Sequence, residues 1–208
     1  MDEGTFSVSI NGASVLTETF SIKQNAQGSV TKSEVRVSGK ATQNSEMTMG
    51  ANGNLVRYEW NELEGTKGKN VVEPSNDFLV EHYAMPGGKV GDQPFLMPSS
   101  SVILEDAFFS HRELLLWRYF GASCGKADGK GCEFAKQQYG VVVPRQRISS
   151  MVSVEYVGPE KMNIKGEEKD LTKFRITTEG PDWFAWVDEN FKVQKISVPE
   201  DGTEVTRE

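Results

Sequence analysis

Histidine and cysteine are scarce in this 208-residue chain, two of each, and that scarcity removes most metal and redox chemistry. His82 and His111 stand 29 positions apart, so they fall on different elements, and a metal site usually wants more ligands than these two. Cys124 and Cys132 have seven residues between them, which is not the Cys-x-x-Cys spacing of redox catalysts, and no second pair exists to complete a zinc site. The chain contains no Gly-x-Gly-x-x-Gly or Walker sequence, so no nucleotide cofactor is expected. Basic residues are outnumbered 23 to 30 and dispersed, and a net charge of −7 repels a phosphate backbone, which argues against nucleic acid. No stretch approaches the roughly 18 apolar residues of a membrane-spanning helix.

The first residues, Met-Asp-Glu-Gly-Thr-Phe, enter a strand pattern without a basic or apolar leader. That start suits a cytosolic protein, and equally a mature exported domain carrying a start methionine after its signal has been removed. The cysteines help choose. The seven residues between them include three glycines, so the open loop has high entropy, and a disulfide closing it would stabilise by about 2–3 kcal/mol. We read a structural disulfide in preference to two free thiols. That favours an oxidising compartment, periplasmic or extracellular.

What the chain has in abundance is alternation. Phe6, Val8 and Ile10 alternate with polar residues, Asn11-Gly12 signals a tight hairpin, and Leu16, Glu18, Phe20 and Ile22 share one face of the returning strand. Similar runs recur over 30–37, 41–49, 55–60, 71–72, 78–83, 139–143, 147–157, 161–165, 171–178, 183–187, 191–198 and 203–206, with short turns between most of them. Residues 85–98, rich in Gly and Pro, read as an irregular loop. The pattern predicts a mainly β, single-domain chain: one curved antiparallel sheet or half-barrel meander of eleven or twelve strands. Residues 103–120 break it with one strongly apolar helical segment, about 106–120, expected to pack on the concave side. Ser110 to Glu113 fits a capping box that would start a regular helix at 111, and Gly121 would terminate it.

Candidates for chemistry are few. Glu105, Asp106 and His111 could form a small metal or hydrolase site only by converging in a wet cleft. The expectation is instead a polar cluster at the helix start and a protein that is not an enzyme. The other candidate is a surface for apolar matter. Leu55–Trp60 and the strand 78–83 carry apolar residues on both faces, and a sheet apolar on both sides must be covered twice or cover a ligand. The residues expected to line such a concavity are Phe20, Tyr58, Trp60 and Phe78 from the sheet, with Phe109, Leu116, Trp117 and Phe120 from the helical segment.

Three places also carry a likeness. The helix start over 103–119, the strand 173–176 followed by Trp183-x-x-x-Val187-Asp188, and the return strand 191–198 with Lys192 and Lys195 cover about a third of the chain. They resemble an uncharacterised bacterial periplasmic family with a long antiparallel sheet, similar in architecture to the half-barrel lipoprotein carriers. The cysteine loop 121–133 and the segment 85–98 depart from those carriers. The resemblance implies a non-enzymatic envelope protein whose concavity holds a hydrophobic small molecule, lipid or acyl chain. The alternative is a structural module that docks a partner envelope protein by strand addition.

Overall fold

The computed structural model describes residues 1–65, 67–84, 88–124 and 131–208. Fifteen strands form one sheet. The first eight are β1 (Asp2–Ile10), β2 (Ala13–Asn25), β3 (Gly28–Val37), β4 (Lys40–Gly50), β5 (Leu55–Glu62), β6 (Lys69–Ser75), β7 (Phe78–Ala84) and β8 (Val90–Phe95). Then come β9 (Val102–Ile103), helix α1 (Ser110–Cys124), β10 (Gln137–Val143), β11 (Ile148–Ile164), β12 (Glu167–Thr177), β13 (Trp183–Val187), β14 (Val193–Val198) and β15 (Thr203–Arg207). Their spatial order is 8-7-6-5-4-3-2-1-15-14-13-12-11-10-9, antiparallel throughout except for the short β9–β10 pair. The chain termini therefore meet in the middle of the sheet, and the two sheet ends are neighbours in sequence.

That topology forces curvature. Laid flat at about 4.8 Å per strand, fifteen strands would separate β8 from β9 by about 67 Å. The chain between Phe95 and Val102 spans at most about 25 Å. The sheet must curl until its ends approach, and α1, which follows β9, fills the curl. Ten of its fifteen residues are buried, and Leu114, Leu115, Leu116, Tyr119 and Phe120 join the inward rows of the sheet in one core.

Local sequence explains the turns. Asn11 and Gly12 both have positive φ (50° and 79°), the type I′ geometry that matches strand twist, and Ser38-Gly39 and Lys165-Gly166 repeat it. The sheet holds fifteen strands among the described residues against the expected eleven or twelve, and the strand boundaries differ in two instructive places. Residues 90–95 and 102–103 pair as β8 and β9 although Gly91 and Pro94 interrupt the alternation, because edge strands tolerate both. Conversely, the runs 147–157 and 161–165 are one strand, β11, continued through a bulge between Tyr156 and Gly158. Residues 85–87 of the expected loop lie outside the described residues, as do 125–130 of the cysteine loop.

The helix start also differs. α1 begins at Ser110, residues 106–109 precede it as a turn, and Gly121 lies inside it, three residues before its end at Cys124. Cys124 and Cys132 are joined by a disulfide, and the Glu133 amide donates to the Ser123 carbonyl (2.9 Å), which secures the helix end. No helix among the described residues is long and apolar enough to cross a membrane.

Candidate functional site

The depth of α1 in the curl is fixed by buried polar contacts. Glu18, on the inward face of β2, accepts hydrogen bonds from the Phe109 amide (2.6 Å), the Ser110 amide (3.1 Å) and the Ser110 hydroxyl (2.6 Å). Ser33 Oγ lies 2.8 Å from Ser110 Oγ and completes the chain. A carboxylate from another strand thus caps the helix N-terminus, where unpaired amides and the helix dipole favour negative charge. Burial pushes the Glu18 carboxyl above its ordinary range, and these donors pull it back only partly. The expected capping box does not form, because Ser110 donates to Glu18 and Glu113 is engaged elsewhere. Arg207 on β15 reaches both Glu113 (3.2 Å) and Asp2 on β1 (2.6 Å), and Lys192 adds a second cation to Asp2 (2.7 Å). Gly4 makes room for that guanidinium, since a Cβ there would sit 3.0 Å from it.

A second polar group closes the seam between the sheet ends. The 3-10 turn Pro144–Gln146 after β10 projects Arg145 to Glu105, through its amide (3.0 Å) and Nε (2.9 Å), and to Gln43 on β4 (2.9 Å). The same guanidinium lies 5.3 Å from the centre of the Trp60 ring, and Arg147 sits 4.1 Å over Tyr83. His111 accepts from the Glu105 amide through Nδ1 (3.3 Å), which puts its proton on Nε2. Burial, reinforced by Arg112 and Arg145, lowers its pKa to about 3, so the ring is neutral. Asp106 points the other way, outward, to Gln146. Glu105, Asp106 and His111 therefore do not converge in a wet cleft, and no cluster of three or more His, Cys, Asp or Glu suited to a metal occurs among the described residues.

The concavity that α1 borders is a cleft of about 220 Å³ at the other end of the curl. Leu114, Trp117 and Arg118, spaced to share one helix face, form one wall. The opposite wall comes from the ends of the β2–β3 and β4–β5 hairpins, chiefly Ile22, Met47, Met49 and Leu55, with Ile103 at the base. The hairpin ends can close on one another because Gly28 has φ 141° and a Cβ there would come within 2.0 Å of the Met49 carbonyl. The indole N–H of Trp117 donates to the Phe191 carbonyl (2.8 Å), which fixes the ring at the cleft wall. Two methionines opposite a fixed indole make an apolar lining that can adjust to what enters.

A larger depression of about 900 Å³ lies on the outward face of β1 to β5. Its charges fall in pairs such as Lys32–Glu46 (2.8 Å) and Arg36–Glu34 (2.7 Å), and Phe20 is the one aromatic side chain among its described lining residues. At the sheet end, Pro94 removes a backbone donor from β8 and Gln93 donates its amide to the Pro94 carbonyl (2.9 Å), which interrupts that edge as a template for strand addition.

Of the eight residues the sequence singles out for a ligand, Trp117 lines the cleft. Phe20 stacks on Phe6 (4.9 Å), Tyr58 packs edge-on against His111 (5.6 Å), and Trp60 donates to Gln43 (3.0 Å) within the core. Phe109 packs near Trp183 (6.3 Å), Leu116 is fully buried, and Phe120 belongs to an aromatic cluster with Phe174 (5.1 Å) and Phe191 (4.7 Å). Phe78 is half-buried at the β6–β7 turn. Met47, Met49, Leu55, Ile103 and Leu114 were not singled out, because their convergence depends on how hairpin ends meet the helix.

No family model matches the chain, and no curated protein matches it in sequence. A solved structure does match in fold: a β-barrel-like protein of the domain of unknown function DUF1849 from Brucella abortus, with a TM-score of 0.59 over 99% of this chain and 94% of that one. At 8% identity the likeness is one of fold alone.

Proposed function

We propose that this protein is a non-enzymatic binding protein of the cell envelope that shelters the end of an acyl chain or similar apolar ligand between α1 and the β2–β5 hairpin ends. The observation that carries the reading is the cleft itself, bounded by Trp117 and Leu114 on one side and Met47, Met49 and Leu55 on the other. The disulfide supports an exported location, since such bonds persist outside the reducing cytosol. In this reading the protein works in the manner of half-barrel carriers. Partner docking by strand addition is the weaker reading, given Pro94 in the edge strand.

A cleft of about 220 Å³ holds about seven methylenes, taking each as roughly the 30 Å³ share of a water. At about 0.8 kcal/mol per buried methylene the gross gain is about 5–6 kcal/mol, and ordering costs reduce it, so the tail alone supports dissociation constants of about 0.1 mM at the tightest. Titration of protein labelled at its methionine methyls with 1-octanol tests this. The Met47 and Met49 resonances should shift saturably while those of Met1 and Met162 stay put. Unmoved Met47 and Met49 methyls at several millimolar octanol would refute the reading.

A further inference from the structure

The inference rests on the binding reading above and names the chemical class of the ligand. The cleft lining is neutral except at one point. Among the described residues that line it, Arg118 is the one charged side chain, set beside Trp117 and one helical turn from Leu114. Gln24, Asn25 and Ser29, all neutral, share the polar part of the wall. The chain as a whole carries −7, so a cation at this position runs against the general charge. Charges more than about 8 Å away are largely screened at physiological salt, whereas a contacting guanidinium is not.

We infer that the cleft takes a single-tailed anionic amphiphile, its oxyanion head paired with Arg118 and its tail of about seven carbons laid along Met47, Met49 and Leu114. The planar guanidinium matches carboxylate and phosphate alike, through two parallel hydrogen bonds. A quaternary ammonium head does not fit: Arg118 repels it, and Trp117 is the one aromatic ring among the described lining residues where cation recognition wants several. Tail length is set by volume. Carbons beyond about the eighth find no room and project at the mouth.

Four eight-carbon probes separate the parts of this proposal, each followed through the Met47 and Met49 methyls of the full chain: octanoate, octyl phosphate, 1-octanol and octyltrimethylammonium. Octanoate or octyl phosphate should bind at least about 10-fold more tightly than octanol, and the better of the two identifies the head as carboxylate or phosphate. Octyltrimethylammonium should bind more weakly than octanol. Within the carboxylate series, affinity should rise about fourfold per methylene up to octanoate and level off beyond decanoate. Arg118→Met should abolish the preference for octanoate over octanol, and Arg118→Lys should fall between. Equal affinity of octanol and the anions, with Met47 and Met49 shifting, overturns the head-group assignment and leaves the binding reading intact. So does an Arg118→Met protein that still prefers octanoate. Failure of all four probes overturns the binding reading itself.

Discussion

Glu18→Ala should be among the most damaging single changes in this protein, although it removes a charge from a core. Three donors converge on that carboxylate: the Phe109 amide, the Ser110 amide and the Ser110 hydroxyl. Truncation leaves the two amides buried without this acceptor, at about 1–3 kcal/mol each, while the Ser110 hydroxyl can turn to Ser33 Oγ. Against this stands the burial cost of the carboxylate itself, which disappears with it and which is large enough to raise its pKa. The balance is a loss of about 3 kcal/mol, a large share of the 5–15 kcal/mol typical of a folded domain. Glu18→Gln keeps one acceptor oxygen, turns an amide NH₂ toward the donors, and should cost about 1–2 kcal/mol. Urea unfolding followed by circular dichroism reads both: the alanine variant should lose about 1 M or more in midpoint, with the slope unchanged. Native-state hydrogen exchange supplies a local check, because the Phe109 and Ser110 amides should lose protection before the rest of α1. An alanine variant within 1 kcal/mol of the parent, or one no worse than the glutamine variant, would show that Glu18 does not hold the helix start.

Two further outcomes follow from other buried groups. Burial raises the Glu81 carboxyl to about 7, with Arg147 opposing. Because its folded pKa exceeds its unfolded one, the folded state holds a proton the unfolded chain releases, and this contribution to stability is lost as pH rises from about 4.5 to 7. Glu81→Gln removes that dependence, so its stability relative to the parent should improve by about 2–3 kcal/mol between pH 4.5 and 7.5; a constant difference in urea unfolding across that range would sink the assignment. Replacing Cys124 and Cys132 together by serine should cost about 2–3 kcal/mol, and dithiothreitol should bring the parent to the same midpoint without affecting the variant. Equal midpoints for oxidised parent and variant would show the bridge to be energetically idle.

What could be read from the sequence was local. Asn11-Gly12 between two alternating runs announced a hairpin, though not the register shift between Val8 and Ser9, and the run 103–120 announced α1. Residues 90–95 hid because an edge strand needs neither regular alternation nor freedom from proline. The Gly158-Pro159 pair looked like a break because a bulge and a turn use the same residues. Glu18 was visible as a carboxylate in a row with Leu16, Phe20 and Ile22, which is the signal of a buried charge with a partner. That partner lies 92 positions away, and no local pattern points to it. The cleft was out of reach for a related reason: apolar residues at strand ends look alike whether they fill a core or face a gap. Trp117 was singled out as an apolar residue of the helical segment, and Met47, Met49, Leu55 and Leu114 beside it were not.

The polar contacts at the start of α1 also account for where the cleft lies. Apolar burial is non-directional, and a helix greasy on most sides could slide or turn within a curled sheet at little cost. Ser110, His111, Arg112 and Glu113 are all buried, and the helix start is held from separate parts of the sheet: Glu18 of β2 bonds Ser110, Arg207 of β15 pairs with Glu113 and with Asp2, and Arg145 beyond β10 pairs with Glu105 just before the helix. Anchors at these three points leave one depth and one rotation for the helix. With that rotation, Leu114, Trp117 and Arg118 must face the β2–β3 and β4–β5 hairpin ends. The gap between those ends and the helix is the cleft. Loosening the turn, as in Glu18→Ala, should therefore weaken octanoate binding as well as stability, although Glu18 does not line the site. Retained affinity in an Glu18→Ala protein that is still folded would separate the two and show that the hairpin ends, not the helix turn, set the position of the cleft.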